Sequence, residues 1–546
     1  MVEFTTEGVS EPRDPDLLLR VRGLTVRLPD GACLLDSLDF DVRKGEVVVI
    51  VGGSGAGKST LLRAVFDPQE LVAAGLHVEV RQQERHAGVG LVPQRGALFD
   101  HLDVAGNVAL ALRNAQPPRA GGVAEIATFL KRVDLPESMA LRGTKVSRLS
   151  GGQAQRLAVA RTLAAGRPLV FYDEPSTGLD PYRVRLLASE ILDQARAPDS
   201  AAVVVTHDIV LAAAVGSRVL MLDPHTRQLR ALLPDTWPGP QSREPVHAAS
   251  VWESELEAAL IDHLARAPAT PSGSPSSMPG APRRARRWLR NLAAPFGVAG
   301  LSLVETARSL PRHGRDFAQV LGHVLRQALW RPLPFYAIVS ALLGFTLLYV
   351  VSRVVPAGVR PGRAIELVGA SYIVALTPPL AAFLYVATSA SAVNAWLGGM
   401  GLTHQVQALE ALGIARGRYL WAPSWCALAM SFLISAVVLA AGLFAGGVLL
   451  CMVDGVTGGP ALLLTDLFDP APDRMPYVVR ALWLVVLYAF GIASDAVARG
   501  GAPKATSDAV TASMTRSVVA STFWVVALEL ISVFVLFAVR PPGGGA

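Results

Sequence analysis

From Leu333 to Val351 the chain runs 19 residues without a charge, and from Tyr419 to Met452 it runs 34. A backbone in hydrocarbon must satisfy its N–H and C=O groups internally, so such runs are confined to helices. At ~1.5 Å per residue, nineteen residues cross a hydrocarbon core ~30 Å thick. Leu367–Thr403 is likewise uncharged, Ser517–Val539 carries only Glu529, and Ala481–Ser494 is a shorter run between Arg480 and Asp495. Five membrane segments are expected, near 333–352, 367–393, 419–452, 476–497 and 517–539.

The first 290 residues read differently, with charges throughout and short apolar runs alternating with helical stretches. Glu46–Val51, Pro168–Tyr172 and Ala201–Val205 read as strands buried on both faces, and Gln153–Ala165 and Pro181–Ala195 as helices. That alternation predicts a mainly parallel sheet between helical layers. The expected division is a disordered N-terminus at 1–16, an α/β domain at 17–245 and a Pro/Ser-rich and basic linker at 246–290. An amphipathic interfacial helix at 291–332 and the polytopic domain at 333–540 complete it.

The first 20 residues hold five acids, two arginines and no apolar core segment, so the α/β domain is expected in the cytoplasm. The linker ends in Arg283, Arg284, Arg286, Arg287 and Arg290, either a solvated charge run or a patch on anionic lipid. On lipid each charge contributes about 1 kcal/mol. Loops 404–418 and 495–516 carry Arg416, Arg418, Arg499, Lys504 and Arg516, whereas 453–474 is acidic; positive-inside bias gives an N-in, C-out topology. Arg353, Arg360 and Arg363 run against that bias. Three scattered cysteines argue against disulfides or a metal cluster, and a net charge of +6 does not suggest nucleic acid as partner.

Gly52-Gly53-Ser54-Gly55-Ala56-Gly57-Lys58-Ser59 follows a buried strand and precedes a helix starting at Thr60, the setting a phosphate loop requires. Its glycines let backbone N–H groups surround phosphates at a helix N-terminus. Lys58 is expected to reach the β- and γ-phosphates of ATP, and Ser59 to ligate Mg²⁺. Asp173 ends an apolar strand, so its carboxylate emerges at the sheet edge where α/β ligands bind and would hold Mg²⁺ through water. Glu174 beside it is the candidate general base toward an attacking water. Ser150, Gly151, Gly152 and Gln153 open a helix; Ser150 would cap it, and the free N–H groups could face an anion.

Leu149-Ser-Gly-Gly-Gln153, about twenty residues ahead of Asp173-Glu174, resembles the signature of the ATP-binding-cassette (ABC) transporters. The resemblance implies an α/β ABC-type P-loop ATPase domain followed by an all-α polytopic membrane domain. It implies that the signature closes over ATP held by a second copy, hence a homodimer. It makes His207 the switch histidine toward the γ-phosphate, Gln94 the glutamine that senses Mg²⁺, and Ser176–Asp180 the D-loop. The family usually stacks an aromatic on adenine near Thr25–Leu28; none stands here, leaving Val26 or Arg27 to offer apolar or cation–π contact.

The stretch Gln94–Val108 resembles the ATPases of Mla/Mce-type lipid transporters. Gly398-Gly-Met400, Thr403-His-Gln405, Ala408–Ile414 and Thr515–Val519 resemble MlaE-like permeases. This implies lipid as substrate, a periplasmic Mce-domain partner, the bacterial inner membrane, and docking of 398–414 on the ATPase near Gln94. Pro378, Gly398, Met400, Gln405 and Glu410 match the family, whereas Ala375, Thr388, Trp396 and His404 stand where it often has charges. The rivals are an ABC exporter of another hydrophobic molecule and a mechanotransmission ATPase that passes no substrate. Glu529 reads either as a functional intramembrane acid or as a protonated side chain hydrogen-bonded between helices.

Overall fold

The computed structural model describes residues 3–4, 14–232, 258, 284–354, 371–464 and 475–539, apart from Ser54, Arg95, Gly96, Arg142, Thr457 and Ala505. The chain divides into two compact units, one of Met1–Pro282 with Met400–Ala415 and one of Arg283–Gly399 with Arg416–Ala546. Most of the 246–290 linker, Arg283 included, falls outside the described residues.

The first unit is built on two sheets. The smaller joins β1 (Glu3–Phe4), β5 (His77–Val80), β2 (Leu17–Arg27) and β3 (Cys33–Arg43) in that order, with β6 (Gln82–Arg85) also pairing β2. Strand β1 lies in the stretch expected to be disordered; its two residues pair in parallel with Glu79 and Val80. The larger sheet runs β11 (Leu229–Ala231), β10 (Arg218–Leu222), β4 (Val47–Val51), β9 (Ala201–Val205), β8 (Leu169–Asp173) and β7 (Val89–Val92). All its pairings are parallel except β10–β11. Every residue of β4, β8 and β9 is buried, as a central parallel strand requires. One core cluster spans both sheets, from Leu24 and Phe40 to Ile50, Leu61 and Val203.

Helix α1 (Lys58–Phe66) leaves the loop after β4 and is followed by α2 (Pro68–Ala73). Helices α3 (Val104–Arg113), α4 (Val123–Arg132) and α5 (Gly151–Ala164) form an outlying helical group, with α5 packed on α3, α4 and β7. Helices α6 (Pro181–Ala195) and α7 (Ile209–Val215) connect β8, β9 and β10.

The second unit is helical among its described residues. Helix α8 (Arg284–Leu325) passes through a π-helical turn, Arg326–Trp330, before α9 (Leu333–Val354). The basic residues from Arg284 onward are therefore helical rather than part of a linker. Helix α10 (Ser371–Tyr385) leads through a π turn into α11 (Ser391–Leu402), whose end belongs to the first unit together with α12 (Gln405–Ala411). A third π turn, Gly417–Trp421, precedes α13 (Ala422–Val453); α14 (Gly459–Leu464), α15 (Met475–Gly500) and α16 (Ser507–Val539) follow. Five stretches are long and apolar enough to cross a membrane: 314–354, 372–402, 417–453, 478–500 and 507–535. The last begins about ten residues earlier than its charge-free run, because Asp508 and Arg516 extend the same helix.

Helices α9 and α13 approach closely because small residues face each other. A Cβ on Gly344 would collide with the Leu443 carbonyl, and one on Gly446 with that of Ala341. Small faces substitute for the hydrophobic effect, which does not drive helices together in lipid. One group of polar side chains in this unit is paired across two helices. Arg480 reaches Glu529 and donates through Nε to Ser532 Oγ at 2.9 Å, and the Tyr488 hydroxyl donates to Glu529 Oε1 at 2.8 Å. Glu529 is thus held by an arginine on the neighbouring helix, a partner neither of its two sequence-based readings contained.

Candidate nucleotide site

Strand β4 ends at Val51, and the chain turns through the phosphate loop into α1. Gly55 at φ +82 and Gly57 at φ +101 make that turn in backbone conformations that L side chains disfavour. Ser54 lies outside the described residues; Gly52, Gly53 and Ala56 complete the loop, and Thr60 is the third residue of α1. Lys58 is buried, its Nζ donating to the carbonyls of Gly52 at 2.9 Å and Gly53 at 3.1 Å. The ammonium stands 3.5 Å from Glu174 Oε1. A charge held by loop carbonyls and one distant carboxylate can exchange those partners for phosphate oxygens at little cost in geometry.

Ser59 donates to Asp173 Oδ1 at 2.8 Å, across 114 residues of sequence. Burial pushes the Asp173 carboxyl up; the Ser59 hydrogen bond and the nearby charges of Arg63 and Lys58 oppose that, and Glu174 adds to it. The pair presents hard oxygen donors at the C-terminal edge of the sheet, the donor type Mg²⁺ takes. A divalent cation there would offset the cost of the buried carboxylate, so the residues fit the ion.

Glu174 has φ +49, a left-handed backbone that costs a non-glycine residue ~1–3 kcal/mol. The conformation is held from both sides. The Glu174 amide donates to the Val205 carbonyl at 2.8 Å, and Oε2 accepts from His207 Nδ1 at 2.6 Å and from the His207 amide at 3.3 Å. Register explains the meeting: Asp173 pairs with Val205 in the parallel ladder, so the residues after β8 and β9 leave the sheet side by side. His207 is largely exposed whereas Glu174 is buried, so the imidazole stands between the carboxylate and solvent. Lys58, Ser59, Asp173, Glu174 and His207 form one connected polar group.

Gln94 lies apart from this group in hydrogen bonding but at the same edge, exposed, two residues beyond β7, whose Val92 pairs with Tyr172. The signature sits differently. Ser150 caps α5, its Oγ accepting from the Gln153 amide at 3.3 Å while Gln153 Oε1 accepts from the Ser150 amide at 2.9 Å. This reciprocal capping box uses both side chains within their own helix end. Gly151 and Gly152 carry no side chain over the helix N-terminus, and a Cβ on Gly152 would come within 3.4 Å of the Gly178 carbonyl in the D-loop segment. Val26 is fully buried in the core cluster, so it cannot meet a base; of the two residues expected there, only exposed Arg27 can.

The geometry is that of an ATP-binding-cassette phosphate site, and the comparisons agree. Residues 35–177 match the ABC transporter family and residues 321–535 match the family described as Permease MlaE. The glutamine transport ATP-binding protein GlnQ of Escherichia coli is 35% identical over 201 residues, 35% of this chain and 81% of that protein. The Fe(3+) ions import ATP-binding protein FbpC of Streptomyces coelicolor is 38% identical over 212 residues, 38% of this chain and 60% of that protein. The chain thus spans little more than half the length of FbpC and of UgpC of Chromohalobacter salexigens, of which it covers 56%. A solved ATP-binding-cassette dimer in a post-hydrolysis state with ADP and Pi is 25% identical, covering 40% of this chain and all of that one, with a TM-score of 0.32. The chain belongs to the ABC transporter family, with an ATPase domain fused to an MlaE permease in one polypeptide.

Sequence reasoning missed Arg63 and Arg167. Arg63 Nη2 lies 3.1 Å from His404 Nε2, and Arg167 donates to the carbonyls of Leu412 and, at 3.2 Å, of Asn114. Arg63 carried one usable signal, its place one turn past Ser59 on the phosphate-loop helix.

Proposed function

We propose that this chain is an ATP-driven transporter that moves a phospholipid or related lipid between the bacterial inner membrane and a periplasmic partner of the Mce-domain type, working as a homodimer. The observation that carries this reading is the joining of Lys58, Ser59, Asp173, Glu174 and His207 into one polar group in a chain that continues into an MlaE permease. Glu174 is placed to take a proton from water, with His207 orienting its carboxylate. Lys58 and the loop amides would bind the β- and γ-phosphates. Ser59 and Asp173, with Gln94 near them, would hold Mg²⁺, which supplies positive charge to those phosphates when bound. The homodimer is supported by the signature: one chain carries one phosphate loop and one signature, and the side chains of the signature are occupied in capping α5.

The test uses the full-length protein in lipid vesicles. Glu174→Gln should lower ATP turnover by about 10²- to 10⁴-fold while leaving binding of a fluorescent ATP analogue intact. Undiminished hydrolysis would remove Glu174 from the role of base. Mass spectrometry of molecules co-purifying with that variant should find lipid; a different hydrophobic compound would favour the exporter reading.

A further inference from the structure

Segment Met400–Ala415 belongs to the first unit, although membrane-spanning stretches flank it in sequence. Its helix α12 is anchored along its whole length. Ala411 joins the core cluster beside Val89 and Leu91 of β7, and Glu70 on α2 accepts a hydrogen bond from Gln407. At the C-terminal end Arg167 holds the Leu412 carbonyl, and Gly413 follows at φ +71, where a Cβ would collide with the guanidinium. At the N-terminal end the contact is of another kind. His404 precedes α12 with φ +56 and makes no side-chain cap to the helix; its Nε2 instead faces Arg63 Nη2 at 3.1 Å.

A guanidinium carries only donors, so Nε2 must accept and the imidazole must be neutral, with its proton on Nδ1. Protonating Nε2 removes the acceptor and sets two cations at hydrogen-bond distance. Acids stand around this pair, Asp67 and Glu70 from the α2 side and Asp173 from β8, together with two further cations, Lys58 beside Asp173 and Arg85 beside Asp67. Those acids favour positive charge in general, but Arg63 is in direct contact and already supplies it. Arg63 also sits on the helix that begins at Lys58 and Ser59, so the phosphate loop and α12 meet through one side chain.

We propose that Arg63 and His404 form a proton-sensitive latch: Arg63 is a positioning residue that ties the phosphate-loop helix to the 400–415 segment, and protonation of His404 releases it. The functional consequence, loss of coupling between nucleotide and permease in acid, rests on the ATPase reading above. An imidazole free of Arg63 ordinarily titrates near pH ~6.5 and the guanidinium contact favours the neutral form, so the latch weakens as pH falls below that value.

Hydrogen exchange of the 405–412 amides, corrected for intrinsic rates, reads the latch directly in full-length protein in nanodiscs of phosphatidylethanolamine and phosphatidylglycerol. Protection should fall about tenfold from pH 7.5 to 5.5 in the native protein, one decade for about one pH unit past the imidazole midpoint. His404→Gln, which keeps a neutral acceptor, should hold its protection at pH 5.5. Arg63→Ala should show low protection at both pH values and Arg63→Lys should restore it. ATP turnover should follow the same pattern with KM for ATP unchanged. Equal acid loss in His404→Gln, or native protection in Arg63→Ala, would overturn the latch. A native protein with the expected exchange pattern but no ATP turnover would uphold the latch and overturn the ATPase reading.

Discussion

Two regions of this chain hold charge partly or wholly out of solvent, and they do so with opposite sets of partners. In the nucleotide site Lys58 rests on the carbonyls of its own loop and stands 3.5 Å from Glu174, partners it can exchange. In the membrane unit Arg480, Glu529, Tyr488 and Ser532 close on one another. The first arrangement leaves donors and acceptors facing an edge where a ligand arrives; the second turns its charges toward each other across two helices. An intramembrane acid is a functional hypothesis by default, but here its partners make it a fastening between α15 and α16.

That comparison can be broken most severely at Glu529. Removing one member of a half-buried ion pair leaves the other without its partner, so Glu529→Ala should cost about 3 kcal/mol, whereas Arg480→Met with Glu529→Met should be near neutral. Thermal unfolding in detergent checks both, and a transport defect in a stably folded double variant would make the pair functional after all. Gly446→Leu should follow, at about 1–3 kcal/mol or more, because the added side chain meets the Ala341 carbonyl between α9 and α13. Its readout is the yield of monodisperse protein. The smallest effect on stability belongs to Ser150→Ala, about 1 kcal/mol for a lost cap. Its loss of ATP turnover should exceed what unfolding accounts for; turnover that falls only with stability would reduce Ser150 to a cap.

The legible parts of the molecule were those written contiguously. The phosphate loop, Asp173-Glu174 and His207 each follow a fully apolar strand, and parallel pairing of β8 with β9 brings their ends together without further instruction. The membrane spans were legible because each contains a long run nearly free of charge. What failed depended on facing or on distance. Val26 lies in the stretch where an aromatic was expected but is buried in the core, as are Leu24 and Thr25 beside it, so packing rather than place in a motif decides its role. Arg480 marks the edge of an uncharged run in sequence, and only packing of α15 on α16 supplies its partner 49 residues away. Arg63 and His404 are separated by 341 residues, and neither residue type announces the other.

The membership of residues 400–415 in the first unit has a consequence for biosynthesis. Ribosomes deliver the chain from the N-terminus, so strands β1 to β11 are complete long before α12 emerges. The place that Ala411 takes in the core beside β7 stays unfilled until translation has passed residue 415 and two membrane spans have been made. The nucleotide-binding unit is therefore finished by a segment of the permease region, and a chain stalled before residue 400 would leave the apolar residues beside β7 uncovered. Chain order thus sets when that core is closed.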